Sequence, residues 1–109
     1  VTVAVDDLVF ERAIRVGDVV MVRAQVNHTG RTSMEVGVKV FREHPKTRER
    51  EHCLTGYFTF VSVDREGRPI PVPPVVPTTD DETRRFENAE ARRKERLDRL
   101  TKRRLMDEE

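Results

Sequence analysis

The sequence predicts an α+β fold, an antiparallel sheet of four strands followed by one C-terminal helix. Three observations carry this. Stretches between Val19 and Asp64 alternate apolar and polar residues with a period of two, as half-buried strands do. Five of the six prolines fall in residues 69–77, where neither a helix nor a central strand can run. Beyond them, Thr79-Asp80-Asp81-Glu82 opens a charged, proline-free segment with the form of a helix N-terminus.

At 109 residues the chain supports one domain. We divide it into a sheet-bearing part, residues 1–77, and a charged helical extension, residues 78–109. Val1, Val3 and Val5 alternate with Thr2 and Ala4, and Leu8-Val9-Phe10 extends the run past Asp6-Asp7. This gives a strand over about 1–10, bulged at the aspartates. Gly17-Asp18 supplies a turn. A second strand over about 18–28 points Val20, Val22, Ala24 and Val26 one way and Val19, Met21, Arg23, Gln25 and Asn27 the other. Asn27-His28-Thr29-Gly30 reads as a turn, with Gly30 at positive φ. The third strand, about 31–43, alternates Thr32, Met34, Val36, Val38 and Val40 with polar residues. His44 to Glu51 is a charged loop, and the fourth strand, about 51–64, carries Tyr57, Phe58 and Phe60. Residues 69–77 then form an extended, polyproline-like strap. A helix over about 80–105 follows, with Thr79 as N-cap, Glu82 reaching back to it and the acidic pair at the positive end of the helix dipole.

That helix is too polar to cover a sheet. Its stripe of Phe86, Leu97 and Leu100 buries little, whereas a sheet with one continuous apolar face needs a second layer. The cover must come from an upstream helix, a partner subunit, or both. The sequence also opens at Val1 inside a strand, and domain termini are usually loose polar tails. Both points lead us to expect an upstream segment.

Charged residues make up 38% of the chain against an average of about 25%, yet their signs nearly cancel to a net +1, so there is no bulk field for a polyanion. No apolar run approaches the roughly 20 residues of a membrane span, no signal peptide is visible, and the single cysteine, Cys53, excludes an internal disulfide framework. A cytoplasmic protein without nucleic-acid or membrane partners is the expectation.

No spacing in the chain makes a catalytic constellation by itself. His52-Cys53 are strand neighbours that face apart, which leaves Cys53 a buried or interfacial residue. His28, His44 and His52 lie too far apart to read as a metal site. Asp6 and Asp7 face apart and would not share a proton. Asn27-His28-Thr29 matches a glycosylation sequon but fits a hairpin turn. Arg68-Pro69-Ile70-Pro71-Val72-Pro73-Pro74 has the form of an SH3 ligand, and the structural strap is the favoured reading. The basic clusters Arg92-Arg93-Lys94 and Lys102-Arg103-Arg104 sit among as many acidic residues from Thr78 onward, a solvated helix face with pairs such as Glu90 and Lys94.

Arg15-Val16-Gly17-Asp18-Val19-Val20, then Gly30-Arg31-Thr32-Ser33-Met34-Glu35-Val36, then Tyr57-Phe58-Thr59-Phe60-Val61 leading into Asp64, Gly67 and Pro69, resemble successive landmarks of the hotdog-fold acyl-CoA thioesterases, cytosolic acyl-CoA hydrolase branch. The match spans essentially all of Val1 to Pro77, and the C-terminal helix resembles that branch's extension. The resemblance implies a hotdog sheet wrapping a central helix that lies upstream of Val1. It also implies edge-to-edge dimers assembling into homohexamers, with active sites at the dimer interface.

The activity implied is hydrolysis of an acyl-CoA in lipid metabolism to CoA and a free acid, with no cofactor and no metal. The family's catalytic carboxylate lies on the absent helix, so no catalytic residue is assigned and residues 1–109 alone are expected to be inactive. For CoA contact the resemblance points to Gly30, Arg31, Thr32 and Ser33, with Arg31 on a phosphate, and more weakly to Arg42, Lys46 and Arg48 for the 3′-phosphate. The alternatives are a non-enzymatic hotdog module that binds an acyl thioester or merely oligomerises, and a hotdog enzyme hydrating an enoyl thioester.

Overall fold

A computed structural model of the chain describes residues 1–107, which form two compact units, Val1–Val75 and the segment from Val76 onward. The first unit holds β1 (Thr2–Phe10), β2 (Val19–Thr29), β3 (Ser33–Glu43) and β4 (Arg50–Val61). They pair antiparallel in the order β1-β4-β3-β2, so consecutive strands β2, β3 and β4 form a meander and β1 returns to the far edge. The second unit carries α1 (Asp80–Asp107). This is the α+β architecture that the alternation, the strap and the capping sequence predict.

Cross-strand partners share a face of the sheet, so the register sorts the side chains. Val22 faces Val40 and Leu54, and Val26 faces Val36 and Phe58, with Val5 beyond on β1. This face is almost wholly apolar. The opposite face pairs Arg23 with Lys39 and Thr55, Gln25 with Gly37 and Tyr57, and places Asp6 beside Tyr57. Of the large apolar side chains on the first face, Val22 is 62% exposed and Phe10 66%, and the buried apolar residues of the first unit are few, Cys53 and Leu54. A sheet face of this composition is one layer of a two-layer core.

The aspartates do mark a bulge. The β1–β4 register shifts between Asp6 and Val9, and Asp7 sits at φ 53°, a left-handed conformation that Asp tolerates better than most residues. Gly17 supplies the expected turn at φ 99°, closed by the Asp18 amide donating to the Arg15 carbonyl (3.1 Å).

The turn expected at residues 27–30 lies elsewhere. β2 continues to Thr29, the register slips between Val26 and His28, and Gly30 is not at positive φ. The reason is a second bulge, which keeps Asn27 and His28 in the strand and buried while the chain reverses over residues 30–32. In the proline-rich segment the Ile70 amide donates to the Ser62 carbonyl and the Val72 amide to the Arg31 carbonyl, both at 2.9 Å.

In the second unit the Thr79 hydroxyl accepts from the Glu82 amide (3.1 Å), as an N-cap does. The reciprocal half differs from the expected capping box. Glu82 reaches one residue further back, and its carboxylate accepts from the Thr78 amide and the Thr78 hydroxyl. Those bonds, the backbone one first, hold its pKa below the ordinary 4.5.

Candidate functional site

The β2–β3 connection is stitched from both sides. The Gly30 amide donates to the Ser33 carbonyl (2.8 Å), closing the reversal. The Thr32 carbonyl accepts from the Ser62 amide and the Arg31 carbonyl from the Val72 amide, both 2.9 Å, while the Val75 amide donates to the Thr29 hydroxyl at 2.9 Å. The backbone of residues 29–33 is therefore fixed by the end of β4 and by the strap. The Arg31 side chain is exposed, and Thr32 and Ser33 are half-buried beside it. One cation and two hydroxyls on an anchored turn make a rigid mount for an anionic, hydrogen-bonding ligand.

Arg42 lies at the other end of β3. At roughly 3.3 Å per residue the two groups are about 30 Å apart along the strand, so the structure brings Gly30, Arg31, Thr32 and Ser33 together and leaves Arg42 apart from them. Its guanidinium donates to the Ala13 carbonyl (2.7 Å) and to Glu51 (2.9 Å). The hydrogen bond to Glu51 is the main cause that raises its pKa above the ordinary arginine value. Arg12 joins the same cluster, its guanidinium 3.4 Å from Glu51 and donating to the His52 carbonyl at 2.8 Å. Lys46 and Arg48 lie at this end too, in a loop where the His44 ring nitrogen accepts from the Lys46 and Thr47 amides and Arg48 adopts φ 59°.

The nucleophile readings set aside in the sequence stay aside. The His52 ring nitrogens meet Glu11 (3.2 Å) and Thr55 (2.7 Å), while the buried Cys53 thiol lies 3.6 Å from the Glu51 carbonyl. Among the described residues no group of three or more His, Cys, Asp and Glu side chains is placed to hold a metal ion.

Sequence reasoning missed a buried polar cluster on the non-apolar face. Asn27 donates to Glu35 at 3.1 Å, His28 sits opposite Glu35 in the register, and Thr59 is its partner on β4, all under 9% exposed. A signal was present in Gly37. A glycine inside a strand often marks a close approach, and a Cβ there would stand 2.5 Å from the Asn27 amide nitrogen.

Comparison with known proteins places this sheet. A family model of the thioesterase superfamily matches residues 1–49. The structure of a variant acyl-CoA hydrolase from Staphylococcus aureus is 30% identical, with a TM-score of 0.83 over 99% of this chain and 68% of its own. The chain belongs to the thioesterase superfamily. A structure of the same thioesterase in complex with butyryl coenzyme A and coenzyme A is 31% identical, with a TM-score of 0.85 over 99% of this chain and 66% of that one. A hexameric acyl-CoA thioesterase is 42% identical with a TM-score of 0.84, covering 92% of this chain and 64% of its own. Among thioesterase relatives, an uncharacterized acyl-CoA thioester hydrolase of Bacillus subtilis is 42% identical over 99 residues, 91% of this chain and 58% of the relative. The rat cytosolic acyl coenzyme A thioester hydrolase is 37% identical over 94 residues, 84% of this chain and 25% of the relative. The chain thus spans little more than half the length of the first curated relatives it matches. The sheet is that of the hotdog-fold structures in this group.

Proposed function

We propose that the protein hydrolyses acyl-CoA thioesters, giving CoA and a free carboxylic acid. One observation carries this reading: a hydrolase solved with butyryl coenzyme A bound matches 99% of this chain at 31% identity. The anchored turn of Gly30, Arg31, Thr32 and Ser33 is the CoA contact in this reading, with Arg31 as the charge-assisted donor to a phosphate. Arg42, the weaker choice, already has its guanidinium on Glu51 and Ala13, and we assign it to holding β3, β4 and the segment after β1 together.

In this reading no catalytic group is assigned within residues 1–109, the second layer over the apolar face comes from an upstream helix, a partner subunit or both, and the active site lies at an interface between copies. Assembly as a hexamer and a cytoplasmic location are part of the same reading, supported by the hexameric structure and by the cytosolic rat relative. The thioester is the substrate, and the reading calls for no further cofactor. The rival is a module of the same fold that binds an acyl thioester or oligomerises without turnover. Thiol release from short- to long-chain acyl-CoAs by the full-length protein, with residues 1–109 alongside, separates them. Turnover by the full-length protein and none by the shorter chain is expected. Binding without turnover by the full-length protein would favour the module.

A further inference from the structure

Charge is not spread evenly along α1. Residues 80–91 hold five acidic and two basic side chains, and residues 92–107 hold eight basic and three acidic. The helix dipole favours this polarity but acts within the first and last turns, whereas the basic run begins at Arg92, near the helix midpoint. Pairs four residues apart, Glu90 with Lys94, Glu95 with Arg99 and Asp98 with Lys102, support the helix locally but leave its second half strongly positive and its first half negative.

A second pattern lies on the same helix. Thr83, Phe86, Glu90, Arg93, Leu97 and Leu100 recur at alternating spacings of three and four, which lines them along one stripe. Leu97 is 44% exposed and Leu100 37%, and among the described residues of the helix only Ala89 is buried.

The two patterns become one when α1 is laid antiparallel against itself with Phe86 opposite Leu97. The stripe then sets Phe86 on Leu97 and Leu100 on Thr83 at each end, and puts Glu90 against Arg93. In the same register Glu87 meets Arg96, Asp81 meets Lys102 and Arg85 meets Asp98. One like-charged pair results, Arg84 with Arg99, and Arg84 has Asp81 of its own chain 3.2 Å away. Reversing a helix against itself aligns its acidic half with its basic half twice over, which is what a two-fold, isologous contact requires.

We propose that α1 is an interaction surface for α1 of a second copy, paired antiparallel through this stripe. The inference rests on the homo-oligomer reading above and adds the surface and its register. Lipid or nucleic acid would answer the basic half but leave the acidic half without a role.

The test uses the full-length protein with a spin label at Thr101→Cys, an exposed position; native Cys53 is fully buried. The register puts the two labels roughly 30 Å apart at 1.5 Å per residue, and a distance near that value is expected. Glu90→Arg alone and Arg93→Glu alone, both at exposed positions, each abolish it. Mixing those two variant chains restores it, because one chain is then basic and the other acidic at both positions of the stripe, so opposite charges meet at each of the two contacts. A role within one helix cannot give that recovery. Absence of the distance in an assembled protein, or a mixture that fails to recover it, overturns the helix pairing alone. A wild-type protein that sediments as a monomer overturns the assembly reading as well.

Discussion

Arginine closes both ends of β3, and the two ends differ in what the guanidinium meets. At one end Arg42 is held by Glu51 and Ala13 in a cluster with Arg12, so its charge and its donors are engaged within the chain. At the other end Arg31 stands exposed on a turn whose backbone is pinned by β4 and the strap. The contrast teaches that a cation's use is set by its carbonyl and carboxylate neighbours and not by residue type. A fixed backbone beneath an exposed side chain is what a binding contact needs, and a satisfied guanidinium is what a structural tie needs.

The largest effect should come from the sheet between the two ends. Gly37→Ala drives a Cβ into Asn27, which is buried and bonded to Glu35 and cannot swing away, so a loss of about 1–3 kcal/mol is expected in denaturant unfolding. Gly56→Ala is the control on the apolar face. Its Cβ would meet the Leu8 side-chain tip at 2.8 Å, but Leu8 is 45% exposed and free to turn outward, so a smaller loss should follow. Equal losses would show that the polar cluster is not the stiffer of the two faces.

Arg31→Ala should have an effect of similar size. Hydrogen bonds to charged groups contribute about 1.5–3 kcal/mol, so KM for an acyl-CoA should rise roughly tenfold or more with kcat kept, as steady-state thiol release would read. The smallest effect concerns the helix N-terminus. Glu82 has a lowered folded pKa, so the stability it contributes is present above its ordinary pKa of 4.5 and is lost as the pH falls below that through the lowered value. Helical circular dichroism on heating should therefore favour the wild type slightly over Glu82→Gln at neutral pH, and the difference should fade on titration into acid. A variant indistinguishable from wild type at neutral pH would remove Glu82 from the cap.

The sheet was legible because Val20, Val22, Ala24 and Val26 alternate without interruption, and period two leaves no other element open to them. The strap and the Thr79 cap were legible because proline and an N-cap hydroxyl each act through their own covalent geometry. The Asn27 bulge was not, because Asn, His, Thr and Gly in succession favour a turn locally, and only the tertiary placement of Asn27 over Gly37 holds them in the strand. For the same reason the buried pair of Asn27 and Glu35 stayed hidden, since a carboxylate in an alternating strand reads as solvent-facing until the burial is known. At the candidate site, the hairpin residues were identifiable through the family resemblance, but separating them from Arg42 required the positions of Glu51 and Ala13.

In the proposed function the Gly30–Ser33 turn is the ligand end of the sheet, and Arg42 at the other end is a structural tie. The most direct measurement compares Arg31→Ala and Arg42→Ala in the full-length protein, each by steady-state acyl-CoA hydrolysis and by thermal unfolding. We expect a raised KM with an unchanged Tm for Arg31→Ala, and a lowered Tm with an unchanged KM for Arg42→Ala. The reverse assignment, or no thiol release from the wild-type protein, would contradict the account.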